Sequence, residues 1–164
     1  MSQALTRKFF TTAGHGSSEV SPLNAFDAAL VAAGIGQCNL VPVTSIIPKG
    51  GVQVRRTDLA PGLVTFVVLS HIEGGTGETI SAAVAWGMTS TGYGLVCEAA
   101  DRAGRAQVEG QARDRVREMA RVRGVSLKSV KVTSESFNTS GTRFGSVVAV
   151  LVLLPEESQP KLDS

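Results

Sequence analysis

Groups that build covalent or metal-centred sites are scarce: the 164 residues include two cysteines, two histidines, one tryptophan and one tyrosine. Cys38 and Cys97 cannot make a disulfide framework and show no CxxC pairing, and His15 and His71 stand alone, so no metal site is expected. No apolar run approaches the eighteen or so residues of a membrane span. Met1 to Phe10 lacks the apolar run and small-residue cleavage site of a secretory signal, so a cytoplasmic protein is expected. There is no large excess of charge of one sign either. Sixteen basic against fourteen acidic residues leave a formal charge of +2, and nothing at whole-chain level asks for a nucleic acid or membrane partner.

Apolar residues are plentiful at 43%, which at this length suits one compact domain and excludes disorder, collagen and coiled coil. Glycine is enriched: 18 residues, about 11% against an average near 7%, imply many tight turns or close backbone approaches.

Arg7 to Thr12 reads as a first strand, ending at Gly14 and Gly16. Ser21-Pro22 opens a helix, with Leu23, Phe26, Leu30 and Ala33 at helical spacing before Gly34 and Gly36. Asn39 to Ile47 is strand-like, and Pro42 and Pro48 place it at a sheet edge. The run Leu63 to Leu69 reads as a strand buried on both faces. Gly74 to Glu78 reads as a turn into a second helix bearing Ile80, Ala83, Val84 and Met88, with Thr76 as its cap, and Tyr93 to Ala99 as a strand. A third helix, about Arg105 to Arg123, carries the apolar stripe Val108, Ala112, Val116, Met119 and Ala120. Ser126 to Phe137 and Arg143 to Leu154 read as two strands joined by a turn at Asn138 to Gly141, with a frayed tail from Pro155. The expected order is β-α-β-β-α-β-α-β-β around one core.

Most candidate motifs have plain explanations. Gly74-Gly75-Thr76-Gly77-Glu78 lacks the Lys-Ser/Thr pair of a phosphate loop, and Gly34-Ile35-Gly36 follows a helix where a dinucleotide fingerprint follows a strand. The arginines Arg105, Arg113, Arg115, Arg117, Arg121 and Arg123 alternate with Glu109, Asp114 and Glu118, as on a solvated, salt-bridged face. Asn138-Thr139-Ser140 matches a glycosylation acceptor without a secretory signal and reads as a turn. No GxSxG elbow supports a serine hydrolase built on His15 or His71. Glu98 ends an apolar run, and either an apolar setting favouring its protonated form or a plain carboxylate past a strand end fits it. In Asn39 to Pro48, an extended chain puts Asn39, Val41, Val43, Ser45 and Ile47 on one face. By spacing alone, Ser45 is a buried, hydrogen-bonded hydroxyl.

On these residues the sequence resembles the pyruvoyl-dependent arginine decarboxylases. The resemblance runs through Ser21 to Leu30, Ala33 to Gly36 and Asn39 to Val41 into Thr44-Ser45-Ile46 and Pro48, and resumes at Gly77 to Ala83 and Arg117 to Ala120. It implies a four-layer αββα sandwich of the α+β class with mixed sheets, assembled as trimers with active sites between neighbouring subunits. It also implies self-cleavage between Thr44 and Ser45 into residues 1–44 and 45–164, with Ser45 becoming a covalent pyruvoyl cofactor. The expected reaction is conversion of arginine to agmatine and carbon dioxide through a Schiff base. Glu98 then matches the acid that reprotonates the α-carbon, Asn39 the asparagine beside the pyruvoyl group, and Asp27 the carboxylate for the substrate guanidinium. Thr44 stands where serine is also common, Lys49-Gly50 where a second proline is frequent, and Gly51 to Pro61 diverges. Two other expectations stay open: the same chemistry on another basic amino acid, or an unprocessed, noncatalytic assembly subunit.

Overall fold

The computed structural model describes residues 7–155, so the expected frayed tail lies, beyond Pro155, outside the described residues. Its elements are β1 (Lys8–Ser18), α1 (Pro22–Ala32), β2 (Asn39–Pro42), β3 (Ile46–Ile47), β4 (Val52–Gln53), β5 (Val64–Gly75), β6 (Thr79–Met88), β7 (Gly94–Asp101), α2 (Arg105–Val122), β8 (Lys131–Asn138) and β9 (Phe144–Leu153). One sheet has the order β2-β5-β9-β1-β4 and the other β3-β7-β6-β8. The first is mixed, with β1/β4 and β2/β5 parallel, whereas the second is antiparallel throughout.

Each sheet turns one face inward, where Phe9, Val68, Ile80, Val84, Trp86, Val96 and Leu151 form the central core. Helix α1 covers the outer face of the five-stranded sheet through Ala29 and Ala33 against Phe10, Val67 and Val150. Helix α2 covers the other sheet through Val108, Ala112, Val116 and Ala120 against Ala83, Ala85 and Leu95. The result is an αββα sandwich of four layers, as the resemblance implies. Within the core the Phe9 and Trp86 rings stand nearly perpendicular with centroids 4.9 Å apart, a geometry that suits the ring quadrupoles.

The expected second helix is a strand. β6 is central to its sheet and buried on both faces, with Ile80, Ala82, Val84 and Trp86 facing the core and Ala83 and Ala85 facing α2. A strand buried on both faces loses the two-residue alternation, and its alanine-rich run takes on a helical spacing. Thr76 caps no helix; its hydroxyl donates to the Thr142 carbonyl at 2.7 Å. β1 also runs past Gly14 and Gly16, because these glycines are where α1 lies on the strand. A Cβ at Gly16 would stand 2.4 Å from the Ala29 nitrogen, and one at Gly14 2.7 Å from the Ala33 nitrogen.

Helix α1 begins as expected, with the Asn24 N–H donating to the Ser21 hydroxyl at 3.1 Å and Pro22 in the first turn. Leu23, however, is 73% exposed and lies off the buried face. Helix α2 buries Val108, Ala112, Val116 and Ala120 of the expected stripe and leaves Met119 half-buried, and its outer face carries the pairs Arg117–Asp114 and Arg121–Glu118. Asn138 to Gly141 is a turn, where buried Thr139 accepts the Glu78 N–H at 2.8 Å and donates to the Gly75 carbonyl. Among the described residues no helix is long and apolar enough to cross a membrane.

Candidate active site

β2 is an edge strand of one sheet and β3 an edge strand of the other, so the three residues Val43, Thr44 and Ser45 carry the chain across the sandwich. Pro42 closes β2 and Pro48 stops β3 after Ile47, and neither proline has an N–H to carry a ladder further. The Val43 N–H still bonds the Val67 carbonyl at 2.8 Å in the first sheet. The Ser45 carbonyl already accepts the Val96 N–H at 2.8 Å in the second. The Thr44–Ser45 bond therefore lies where one sheet lets go of the backbone and the other takes hold. Thr44 is exposed and Ser45 half-buried, and among the described residues the Ser45 hydroxyl has no hydrogen-bond partner. The expected buried, bonded hydroxyl and unbroken strand face are thus replaced by a break.

Past this crossing both sheets have open edges among the described residues. β2 covers β5 up to Val67 and β3 covers β7 only at Gly94 and Leu95. The two edges are tied by the buried Ser70 hydroxyl, which donates to the Ala99 carbonyl at 2.7 Å. Glu98 lies between Val96 and Ala99, within β7 rather than past its end. It pairs with Val84, a core residue, so its side chain points between the sheets. Glu98 is nevertheless exposed, because the sandwich is open there, and the expected apolar enclosure is not supplied by this chain. Its backbone carbonyl accepts Arg115 Nη1 at 2.9 Å, which fixes this stretch of β7 against α2. Burial pushes the neighbouring Cys97 thiol up, and the Glu98 charge adds to that, so Cys97 is not poised as a thiolate nucleophile.

Asn39 stands on the other side of the crossing. It opens β2 beside Val64, and its Nδ2 donates to the Gly62 carbonyl at 3.0 Å. Val64 and Ser70 are six positions apart on β5, about 20 Å of strand, so Asn39 and Glu98 do not meet within one chain. Asp27 stands on the other side of the five-stranded sheet, next to Phe26, whose ring packs on His71. It is exposed on α1, which covers the outer face of the five-stranded sheet, and among the described residues its carboxylate has no ion pair. The structure thus places Ser45 and Glu98 along one edge and leaves Asn39 and Asp27 elsewhere.

Two features escaped the sequence reading. Val64 and Phe66 were expected to be buried on both faces, yet they are 55% and 45% exposed, and Val41, Val43 and Ile46 are also exposed beside the crossing. Val64 and Phe66 are paired with β2 on one side, so it is their side chains, with those of Val41, Val43 and Ile46, that leave an exposed apolar group beside the crossing. The other feature is the Val96 N–H, a backbone donor that no residue pattern announces. Among the described residues, no cluster of His, Cys, Asp and Glu suits a metal ion.

The sequence model of the pyruvoyl-dependent arginine decarboxylase family matches residues 8–158. A protein of that name from Methanopyrus kandleri is 33% identical over 146 residues, covering 89% of this chain and 95% of its own. One from Methanothermobacter thermautotrophicus is 40% identical over 80% of this chain and 87% of its own. One from Pyrococcus abyssi is 36% identical over 79% and 85% respectively. With a match over nearly the whole described fold, and the Thr44-Ser45 bond set between two sheets, the chain belongs to the pyruvoyl-dependent arginine decarboxylase family.

Proposed function

We propose that this chain cuts itself between Thr44 and Ser45 and then decarboxylates arginine to agmatine and carbon dioxide. The observation that carries the reading is the placement of that bond at the crossing between sheets. A cut there unpairs no strand: β1 and β2 of residues 1–44 stay in the five-stranded sheet, and Ser45 stays bonded to Val96 in the other.

In the first step the Ser45 hydroxyl adds to the Thr44 carbonyl and the peptide nitrogen leaves, converting amide to ester. Elimination across Cα and Cβ of Ser45 then releases Thr44 as a carboxylate. Addition of water and loss of ammonia leave a pyruvoyl group at the head of residues 45–164. That group supplies a ketone that binds the substrate amine and draws electrons from the bond to the departing carbon dioxide. The residues around it fit such a group. The Val96 N–H faces the carbonyl oxygen of residue 45 and stabilises negative charge there without reorganising. Glu98, two residues along β7 and pointing between the sheets, holds the proton for the substrate α-carbon.

Asp27 and Asn39 enter through assembly. Because they lie apart from Glu98 in one chain, we assign them to sites shared between copies in a homo-oligomer built on trimers. The exposed Val41, Val43, Val64 and Phe66 are the apolar surface for that contact. Asp27 of one copy then receives the guanidinium of a substrate held at Ser45 of another, as a two-pronged carboxylate partner. Asn39 orients the reacting carbonyl.

Intact mass spectrometry under denaturing conditions, paired with an agmatine assay, tests the reading. Two chains split after Thr44, the larger lighter by one ammonia than a serine-headed fragment, together with agmatine from arginine and far less product from lysine, are expected. A chain that remains whole and inert through long incubation would overturn it.

A further inference from the structure

A cavity of about 510 Å³ lies away from the Thr44–Ser45 crossing, between α2 and the segment leading into β8. Arg113, Arg117 and Arg121 line it at successive four-residue steps, about 6 Å apart along the helix. Leu127 and Val130 give it an apolar floor, and Ser129 stands at its side. The volume suits a small organic ligand.

The three guanidinium groups are not equally satisfied. Arg121 is held in a two-pronged pair with Glu118, at 2.7 and 2.6 Å. Arg117 reaches Asp114 only at 3.7 Å, and both side chains are largely exposed. Arg113 makes no hydrogen bond or ion pair among the described residues, although it is half-buried and its Nη1 is fully enclosed. A permanently charged group partly withdrawn from water without an anion is unfavourable, and the rest of the planar fork, on the cavity side, is shaped for an oxyanion. Asp114 and Glu118 are taken by Arg117 and Arg121, and Glu109, one turn before Arg113 on the same row, accepts the Ser134 hydroxyl at 2.6 Å and makes no ion pair with Arg113.

We propose that this cavity binds a phosphorylated small molecule, its phosphate between Arg113 and Arg117 and its apolar part over Leu127 and Val130. A dianion with three acceptor oxygens can engage two guanidinium groups and the Ser129 hydroxyl together, which a single carboxylate cannot. The site is separate from the one assigned to arginine, whose substrate is a cation at its far end.

The test is calorimetric titration of the full self-processed protein with phenyl phosphate and with inorganic phosphate, at constant ionic strength. Saturable binding at one equivalent per chain is expected, tighter for phenyl phosphate, whose ring covers the apolar floor. Arg113→Gln should weaken it at least tenfold. Arg117→Gln, at an exposed position that carries no packing, should weaken it several-fold and stands in if the first variant does not fold. Arg143→Gln, outside the cavity, should leave it unchanged. Absence of saturable binding would overturn the proposal, as would equal affinity in the Arg113→Gln protein. A change of oligomeric state in Arg113→Gln without any phosphate binding would also overturn it, by giving the guanidinium to a protein carboxylate instead.

Discussion

The backbone N–H of Val96 donates to the carbonyl oxygen of Ser45 at 2.8 Å, one residue after Thr44 has left the other sheet. This bond anchors residue 45 independently of its side chain, whose hydroxyl has no partner among the described residues. Replacing Ser45 by Ala removes the nucleophile and disturbs neither sheet. Ser45→Ala should therefore give one uncut chain with no decarboxylase activity and a melting temperature no lower than that of the processed wild type. Denaturing mass spectrometry and thermal unfolding check both halves, and a cut at the same bond in this variant would exclude serine attack.

Glu98 and Ser45 lie along one edge, and the proposed mechanism gives them different steps. Because Glu98 is exposed and contributes only its backbone carbonyl to the fold, Glu98→Gln should fold and cleave normally. Its loss as a proton donor should lower kcat for decarboxylation by about 10²- to 10⁴-fold. Separate measurement of chain cleavage and carbon dioxide release distinguishes this from a defect in cofactor formation.

Asp27 lies on α1, a full sheet away from the edge that holds Glu98, and the function proposed above brings the two together across copies. Asp27→Asn should raise KM for arginine about 10- to 100-fold, the scale of one lost charge-assisted pair, and leave chain cleavage intact. Dissociating and reassembling Asp27→Asn with Glu98→Gln should restore part of the activity, because some sites then receive both native groups. No recovery in assemblies shown to be mixed would place both residues in the same chain's site.

Gly16 stands under α1, where a Cβ would meet the Ala29 nitrogen at 2.4 Å and the Ala28 carbonyl carbon at 2.6 Å. These are backbone atoms and cannot turn aside, so the helix must move off β1. Gly16→Ala should cost about 1–3 kcal/mol, read as a lower denaturation midpoint.

Gly16 also shows why parts of this fold were hidden in the sequence. Two glycines in three residues resemble a turn, and only the helix lying across them explains a strand that continues to Ser18. The same holds for β6, where burial between α2 and the other sheet removes the alternation that identifies a strand. Helix α2 was legible because one stripe is buried and the opposite face is charged. Pro42 and Pro48 announced edge strands, although not that the edges belong to different sheets. Ser45 could be singled out by resemblance, yet the open edge beside it and the Val96 N–H are products of three-dimensional pairing. The separation of Asn39, Asp27 and Glu98 is likewise invisible along the chain.

Glu78 closes the turn between β5 and β6, accepting the Gly75 N–H at 2.7 Å and the Arg102 Nε–H at 2.9 Å. The Gly75 bond, and then Arg102, hold its carboxyl below the ordinary glutamate value. A carboxyl lowered by folding stabilises the native state fully above its unfolded pKa, and that contribution disappears as pH falls through the folded value. Glu78→Gln keeps an acceptor for Gly75 but removes the charge. The difference in denaturation midpoint between wild type and Glu78→Gln should be largest at about pH 6 to 7 and shrink steadily below about pH 4. Asp101 and Glu118 are lowered in the same direction, so the comparison must be between the two proteins at each pH rather than along one curve. A difference that stays constant down to about pH 2 would mean that the Glu78 charge does not contribute to holding the turn.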